Sequence, residues 1–370
     1  MTGATDPLRR DVESLCAIVR DSAGPGERES AALVARRLRE VGADDVRVEP
    51  FRFGRTWGHR HALHFAAGIA AAAARRRALA LAALASFDAD FSGRSQWLAR
   101  VLPRGEGANV VARVPARGER RRTLVLVAHH DAANTGFAWR NRWLSGPDVG
   151  SRAAAQELAF ALAAARSPRL RGAGAAMLAV GVAAALDVAR SPTVPGASDN
   201  ATGVAAVIEL VRRFAGDPPH RCEVIAVIPG AEESGMGGMR AWLAGVRLDP
   251  RSTLVLGLDT LGAGAPVVLH REGPPRAVRY RAEDLAWVDR GADRAGLPHP
   301  QRVRLGAWTD PSLAALAGLP AISLLSMRDG AFTNYHLPTD TPGRVDWRSV
   351  ADCARLAEAT ARAWAQAPRA

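Results

Sequence analysis

The feature that most constrains this chain is a recurring unit, a short and nearly unbroken apolar run followed by a segment with helical spacing. Such runs occupy residues 109–114, 123–128, 223–228, 253–259 and 321–325. A strand that is apolar at almost every position keeps no face for water, so it belongs inside a sheet covered on both sides. Between the runs, residues 201–214 place Val204, Val207, Ile208 and Val211 on one helical face, and residues 347–364 read as a closing helix. Near the N-terminus, Leu8, Val12, Leu15, Cys16 and Val19 predict one amphipathic helix. Ala31, Val34, Leu38 and Val41 predict a second after the Gly-Pro-Gly turn at 24–26, and Val46, Val48 and Phe51 alternate as a strand. Strands alternating with helices predict an α/β fold with a mostly parallel central sheet flanked by helices on both faces. At 370 residues, one domain spanning 1–370 accommodates it.

Two insertions, 58–100 and 132–195, do not follow the plan. The first contains the Ala/Leu-rich run 62–87, split by Arg75, Arg76 and Arg77; the second contains the uncharged run 172–186. A membrane-spanning helix needs about 20 apolar residues, and none of the three pieces reaches that. Two readings remain open: helices packed into the fold, or a helical hairpin in a membrane interface. Trp57, Trp97, Trp139 and Trp143 flank the runs as bilayer anchors would. The second insertion follows the first candidate ligand directly, so it is expected to lid or wall the site.

Composition narrows the partners. The formal charge is +12 and contains no lysine contribution, every basic residue being arginine. The arginines are scattered, aromatics are 5% of the chain and no groove-reading module is visible, which argues against nucleic acid. Cys16, Cys222 and Cys353 are far apart and form neither a disulfide framework nor a cysteine zinc site. Residues 1–20 lack the pattern of a signal peptide, which makes the cytoplasm the default compartment, with association at a membrane surface through 62–87 and 172–186 as the added expectation.

Chemistry concentrates where apolar runs end, the edge at which open α/β sheets bind ligands. The run LVLVA delivers His129, His130 and Asp131; a histidine with a carboxylate two residues on suits a metal ligand held by an acid behind it. PGASDNATG places Asp199 and Asn200 at a helix entrance, where an N-cap is the alternative reading. VIAVIPGAEESG ends in Glu232 and Glu233, which are either a solvated helix start or a ligand beside a proton carrier. LVLGLDTLG ends in Asp259, and NYHLPTDT carries His336 and Asp340 on a proline-containing loop. Nitrogen and carboxylate donors in this mixture suit Zn²⁺ better than Ca²⁺. His61, His64, His220, His270 and His299 have no partner motif and read as surface or core residues.

Taken in order, these segments resemble the zinc-dependent M28 peptidases. The resemblance runs from the N-terminal helices to the last helix and is interrupted by the two insertions. It implies a zinc exopeptidase-like fold, two Zn²⁺ ions, a peptide substrate and an aminopeptidase activity. It further implies one zinc on His129 and Glu233 and another on Asp259 and His336, with Asp199 bridging them. Glu232 would be the general base and Asp131 would orient His129. Ser198, Ala132 and Leu337 depart from the family's pattern without removing a ligand, and Thr309-Asp310 resembles a family Ser-Asp pair. Two alternatives stand beside this reading: a glutaminyl-cyclase-like acyltransferase using a single zinc, and a non-catalytic membrane-associated scaffold of the same fold.

Overall fold

The structure is a computed structural model and describes residues 6–141, 151–274 and 276–367. Helix α1 (Pro7–Cys16) opens on Asp6, whose carboxylate accepts the Leu8 N–H, and a proline at its first position suits the fixed φ of a helix start. Val19, expected on this helix, lies beyond its end and is 67% exposed. The chain leaves the helix there and buries Arg20 instead. Next come α2 (Pro25–Glu40), α3 (Gly58–Ala73), α4 (Arg77–Phe91), α5 (Ser151–Ala163) and α6 (Pro168–Arg190). They are followed by α7 (Thr202–Gly216), α8 (Gly237–Gly245), α9 (Ala282–Ala295), α10 (Asp310–Leu316) and α11 (Trp347–Ala365).

The strands are β1 (Asp44–Phe53), β2 (Gly105–Val114), β3 (Arg117–Val127), β4 (His220–Ile228), β5 (Thr253–Leu258), β6 (Ala265–Glu272), β7 (Val278–Arg279), β8 (Gln301–Leu305) and β9 (Ala321–Met327). They form one sheet in the order β1-β2-β4-β3-β5-β9-β6-β7, with β8 on β6. Its centre, β4-β3-β5-β9, is parallel: Leu124 pairs with Val224 on one side and Leu254 on the other, and Val255 pairs with Ala321. Every residue of β5 and β9 is buried, as their apolar sequences require. The flanks are antiparallel, through β1–β2, β2–β4, β6–β9 and β6–β7. Three strands escape the sequence pattern, β6, β7 and β8, because toward this end of the sheet half their positions are exposed or polar. Helix α7 packs with α1 and α11, while α8 and α10 pack together.

The apolar insertions build a second core. The run 62–87 is two helices, α3 and α4, broken at Arg75, and 172–186 lies within α6. With α5 they form a four-helix bundle around Phe65, Phe87 and Phe160, whose ring centroids lie 5.3 to 5.7 Å apart. Glycine lets these helices touch. A Cβ on Gly58 would stand 2.2 Å from the Ala185 carbonyl oxygen, and one on Gly174 would stand 2.2 Å from the Ala163 amide nitrogen. By length and composition α6 suffices to cross a membrane, its best window having a mean hydropathy of 1.8. It nevertheless lies against α3 and α5 and leaves Leu170, Met177 and Val180 on an exposed face. Of the tryptophans expected as anchors, Trp57 is half-buried, Trp97 is exposed with its ring N–H donated to Ser86, and Trp139 stacks edge-on against Tyr335 and His336. Trp143 lies outside the described residues.

Candidate metal centre

Three parallel strands end side by side and deliver most of the site. β3 leads into His129 and Asp131, β4 into Glu232 and Glu233, and β5 into Asp259. Asp199 arrives on the kinked turn Ala197–Ala201 before α7, and His336 on the loop after β9. All seven side chains predicted from the sequence therefore converge on one sheet edge. Asp199 is the hub: its Oδ1 lies 3.4 Å from His129 Nε2, and its Oδ2 lies 3.2 Å from His336 Nε2. His129 Nε2 is 3.8 Å from Asp259 Oδ1 and 3.9 Å from Glu232 Oε2, while His336 Nε2 is 3.2 Å from Glu233 Oε2.

Three donor groups form among the described residues. His129, Glu232 and Glu233 bring their donor atoms together, which includes the His129–Glu233 pair the resemblance implied; so do His129, Asp199 and Asp259, and Asp199, Glu233 and His336, whereas Asp259 and His336 share no group. The sheet order accounts for His129 at the centre: β3 lies between β4 and β5, so His129 sits between the Glu232-Glu233 turn and Asp259, while His336 comes in on the loop after β9 beside Glu233.

The loops that carry the cluster are pinned from behind. Asp131 is fully buried; its Oδ1 accepts the Glu232 N–H at 3.0 Å, and its Oδ2 accepts the Glu233 N–H at 3.1 Å and the Ser22 hydroxyl at 2.6 Å. His129 Nδ1 meets the Asp131 main-chain carbonyl at 3.2 Å with the same residue's carboxylate 3.4 Å away, so Asp131 fixes both a histidine ring and the Glu-Glu turn. Asp340 accepts the N–H groups of Ser198 and Asp199. Asn200 donates to the Leu258 carbonyl and accepts from Thr260, tying the Asp199 turn to the end of β5. Ser198, the departure from the family's pattern, accepts the Gly262 N–H.

Other positioning residues carried no sequence signal. Arg20 donates to the carbonyls of His130, Pro195 and Gly196, and Glu27 accepts the N–H groups of Ala23, Ala108 and Ala231. They stand more than a hundred residues from most of their partners, and only tertiary contacts reveal them. Arg60 of α3 donates to Asp90 at 3.1 Å and to the Ser234 carbonyl at 2.7 Å, and Gln96 donates to the Gly235 carbonyl. The bundle is thereby clamped onto the turn carrying Glu232 and Glu233. His61 and His64, unassigned from sequence, are buried bundle residues.

Burial dominates the electrostatics. Burial pushes the Glu232 carboxyl far above its ordinary range, partly offset by His129 and reinforced by Asp310, Glu233 and Asp259. Burial likewise raises Glu233 to about 7, with His336 opposing and Asp199 adding repulsion. For His336 burial acts downward, yet the Glu233 and Asp199 carboxylates prevail and raise it to about 9. Asp310, of uncertain role from sequence, is buried and raised well above the carboxylate range by desolvation and by Asp131 and Asp259. Buried carboxylates in this number are costly unless positive charge meets them. Among the cluster residues, buried Asp199 Oδ2, Glu233 Oε1 and both ring nitrogens of His336 lack a hydrogen-bond partner. One atom from each of Asp199, Glu233 and His336 lies within 4.8 Å of the others, with His336 Nε2 facing both acids, and oxygen and imidazole donors so grouped fit Zn²⁺.

Beside the cluster a cavity runs between sheet and bundle. Trp57, Phe91 and Trp308 give it aromatic walls, α6 lines it with Gly181, Ala184, Ala185 and Val188, and Glu232, Glu233 and His336 face it. Residues of the second insertion thus line this cavity.

The profile described as "Peptidase family M28" matches residues 109–361. The chain belongs to this family. Its M28 fold is shared with an aminopeptidase from Aneurinibacillus sp. strain AM-1, at a TM-score of 0.59 and 14% identity over 96% of this chain and 92% of that one. It is shared with a Zn-dependent exopeptidase from Parabacteroides distasonis, at 0.58 and 14% over 97% and 96%. A Tannerella forsythia glutaminyl cyclase matches at 0.60 and 14% over the whole of both chains. No curated protein matches the chain. The M28 match begins at β2 and ends in α11, so it takes in every cluster residue, and a metal-dependent peptidase acting on peptides is the reading at family level.

Proposed function

We propose that this M28 peptidase is a zinc-dependent aminopeptidase whose general base is Glu232. The observation that carries the reading is Asp199, one carboxylate with an oxygen toward each of two histidines. His129, Asp199 and Asp259 would hold one Zn²⁺, and Asp199, Glu233 and His336 a second. Bound there, zinc would supply Lewis acidity, polarising a peptide carbonyl and lowering the pKa of a water.

The chain's own residues do the rest. Glu232 Oε2 lies 3.9 Å from His129 Nε2 and lines the cavity, so it borders both donor groups and the space open to substrate. Burial and surrounding carboxylates raise its proton affinity, which suits a group that takes a proton from water and returns it to a leaving amine. Asp131 keeps Glu232 in place through its backbone N–H and presents His129 in one ring orientation. The aromatic and small-residue walls favour an apolar side chain on the residue removed, and a cavity bounded by bundle and sheet favours short peptides over folded proteins.

Glu232→Gln keeps the size and removes the base. It is expected to bind zinc like the parent while losing roughly 10²–10⁴ in turnover of dipeptides and aminoacyl anilides with apolar first residues. Full activity in this variant would overturn the assignment, and equal cleavage of N-acetylated peptides would refute the amino-terminal preference.

One second reading has specific support, because structures named as glutaminyl cyclases match over as much of the chain as the peptidases do. Two bound zinc ions per chain with no release of ammonia from N-terminal glutamine substrates separate the peptidase from the single-zinc transferase. The complete donor set and Glu232 weigh against a non-catalytic scaffold.

A further inference from the structure

Far from the catalytic cavity, one end of the four-helix bundle gathers arginine and leucine. The α3–α4 turn carries Arg75, Arg76 and Arg77, and the α5–α6 turn carries Arg166, Arg169 and Arg171. Both turns meet at one tip: Arg77 Nε donates to the Ala164 carbonyl at 2.8 Å, and Ala71, Ala80 and Ala164 close a small apolar cluster beneath them. Five of the six arginines are exposed and Arg171 is half-buried; among the described residues none of the six forms an ion pair. Residues 51–87 and 158–186 contain no acid. The nearest acids along these helices, Asp88 and Glu157, lie about 16 Å below Arg77 and about 9 Å below the end of α5.

Leucines share this end. Leu79 in the first turn of α4 is 59% exposed, and Leu170 in the first turn of α6 is 50% exposed. Leu81 follows on α4 and Met177 and Val180 on α6, all exposed. What sets this end apart is that its exposed aliphatics lie among exposed arginines. A tip with cations and protruding aliphatics together, and no carboxylate, complements a surface that is anionic outside and apolar just beneath.

We infer that the bundle tip docks on the face of a bilayer containing anionic phospholipid, with Arg75, Arg76, Arg166 and Arg169 on lipid phosphates and Leu79 and Leu170 in the acyl boundary. The helices lie on the membrane by their ends and do not cross it. The far half of α6 is committed to the protein, since Gly181 to Val188 wall the cavity and Ala185 abuts Gly58. About 18 Å of helix separate Arg169 from Gly181, so a docked tip leaves the cavity open to solvent. The inference does not depend on the proposed activity.

Co-sedimentation of the full chain with phosphatidylcholine vesicles, with and without phosphatidylglycerol, tests it. Binding is expected only to the anionic vesicles and to weaken with salt. Each arginine near such a surface is worth roughly a five-fold gain in partitioning, so Arg75→Glu/Arg76→Glu/Arg169→Glu should lose on the order of 100-fold or more. Leu79→Ser/Leu170→Ser should weaken binding with little change in its salt dependence. An unchanged melting temperature certifies folding in both variants. No sedimentation with either vesicle, equal sedimentation with both, or full binding by the arginine variant would overturn the inference. Tighter retention on duplex DNA than on anionic vesicles, or a dimer in light scattering that Leu79→Ser/Leu170→Ser dissolves, would assign the tip to another occupant and overturn it equally.

Discussion

Replacing Asp131 by asparagine tests the frame that holds the metal centre. The substitution keeps the shape and leaves one acceptor oxygen where there were two. Asp131 Oδ1 accepts the Glu232 N–H, and Oδ2 accepts the Glu233 N–H together with the Ser22 hydroxyl. However the new amide is turned, its NH₂ confronts one of those backbone N–H groups. Turning it toward Ser22 is the cheaper choice, because a hydroxyl can rotate to accept while a peptide N–H cannot. One buried N–H then stays unsatisfied, a loss of about 1–3 kcal/mol. In a chain of this size that lowers the melting temperature by roughly 1–5 °C. The functional effect is larger than the thermal one. The Glu-Glu turn shifts and His129 loses the negative charge beside its Nδ1, while its main-chain carbonyl partner stays, so zinc affinity should fall about 10–100-fold. Competition with a chromophoric chelator, without substrate, measures this directly. Parental zinc affinity together with a parental melting temperature would refute the claim that Asp131 positions the cluster.

Three further outcomes follow from the packing. Glu272 is fully buried and burial raises it to about 7, against the stabilising hydrogen bonds from Tyr280 and Thr309. Between about pH 4.5 and pH 7 the unfolded chain sheds this proton first, so stability drains as pH rises through that window, by up to about 3 kcal/mol above pH 7. Glu272→Gln should therefore gain melting temperature relative to the parent from pH 5 to pH 8, and a difference that ignores pH would sink the argument. Arg60→Met strands the Asp90 carboxylate in the bundle and should cost about 3–5 kcal/mol, with Asp90→Leu in the same chain recovering much of it; simple additivity in the double variant would show that the pair does not interact. In α6, Gly174→Val drives a side chain into the Ala163 backbone and should destabilise by about 1–3 kcal/mol, whereas Gly172→Ala meets nothing and should stabilise by about 0.5–1 kcal/mol. Thermal denaturation that ranked the two glycine variants the other way would contradict the bundle's packing.

Much of the site was legible because its chemistry is written locally. A strand buried on both faces must be apolar, so a histidine or acid at its end stands out; His129, Glu232, Glu233 and Asp259 were all found that way. The central strands were found for the same reason. Strands β6 and β8, at the β7 end of the sheet, were not, since exposed positions such as His270 and Arg302 break the apolar run. Nor could periodicity decide whether 62–87 and 172–186 pack inward or outward, because alanine and leucine suit a core and a bilayer equally.

The sequence by itself determined the sheet's buried centre, the kind of donor at each strand end and hence the class of ion the chain can hold. Tertiary structure alone decided which donors meet. Strand order is a long-range property: placing β3 between β4 and β5 seats His129 between Asp259 and the Glu232-Glu233 turn, and the loop after β9 brings His336 to Glu233, a meeting that no local spacing encodes. The same holds for Arg20, Ser22 and Glu27, whose burial under the loops depends on folding partners about eighty to two hundred residues away rather than on their neighbours in the chain.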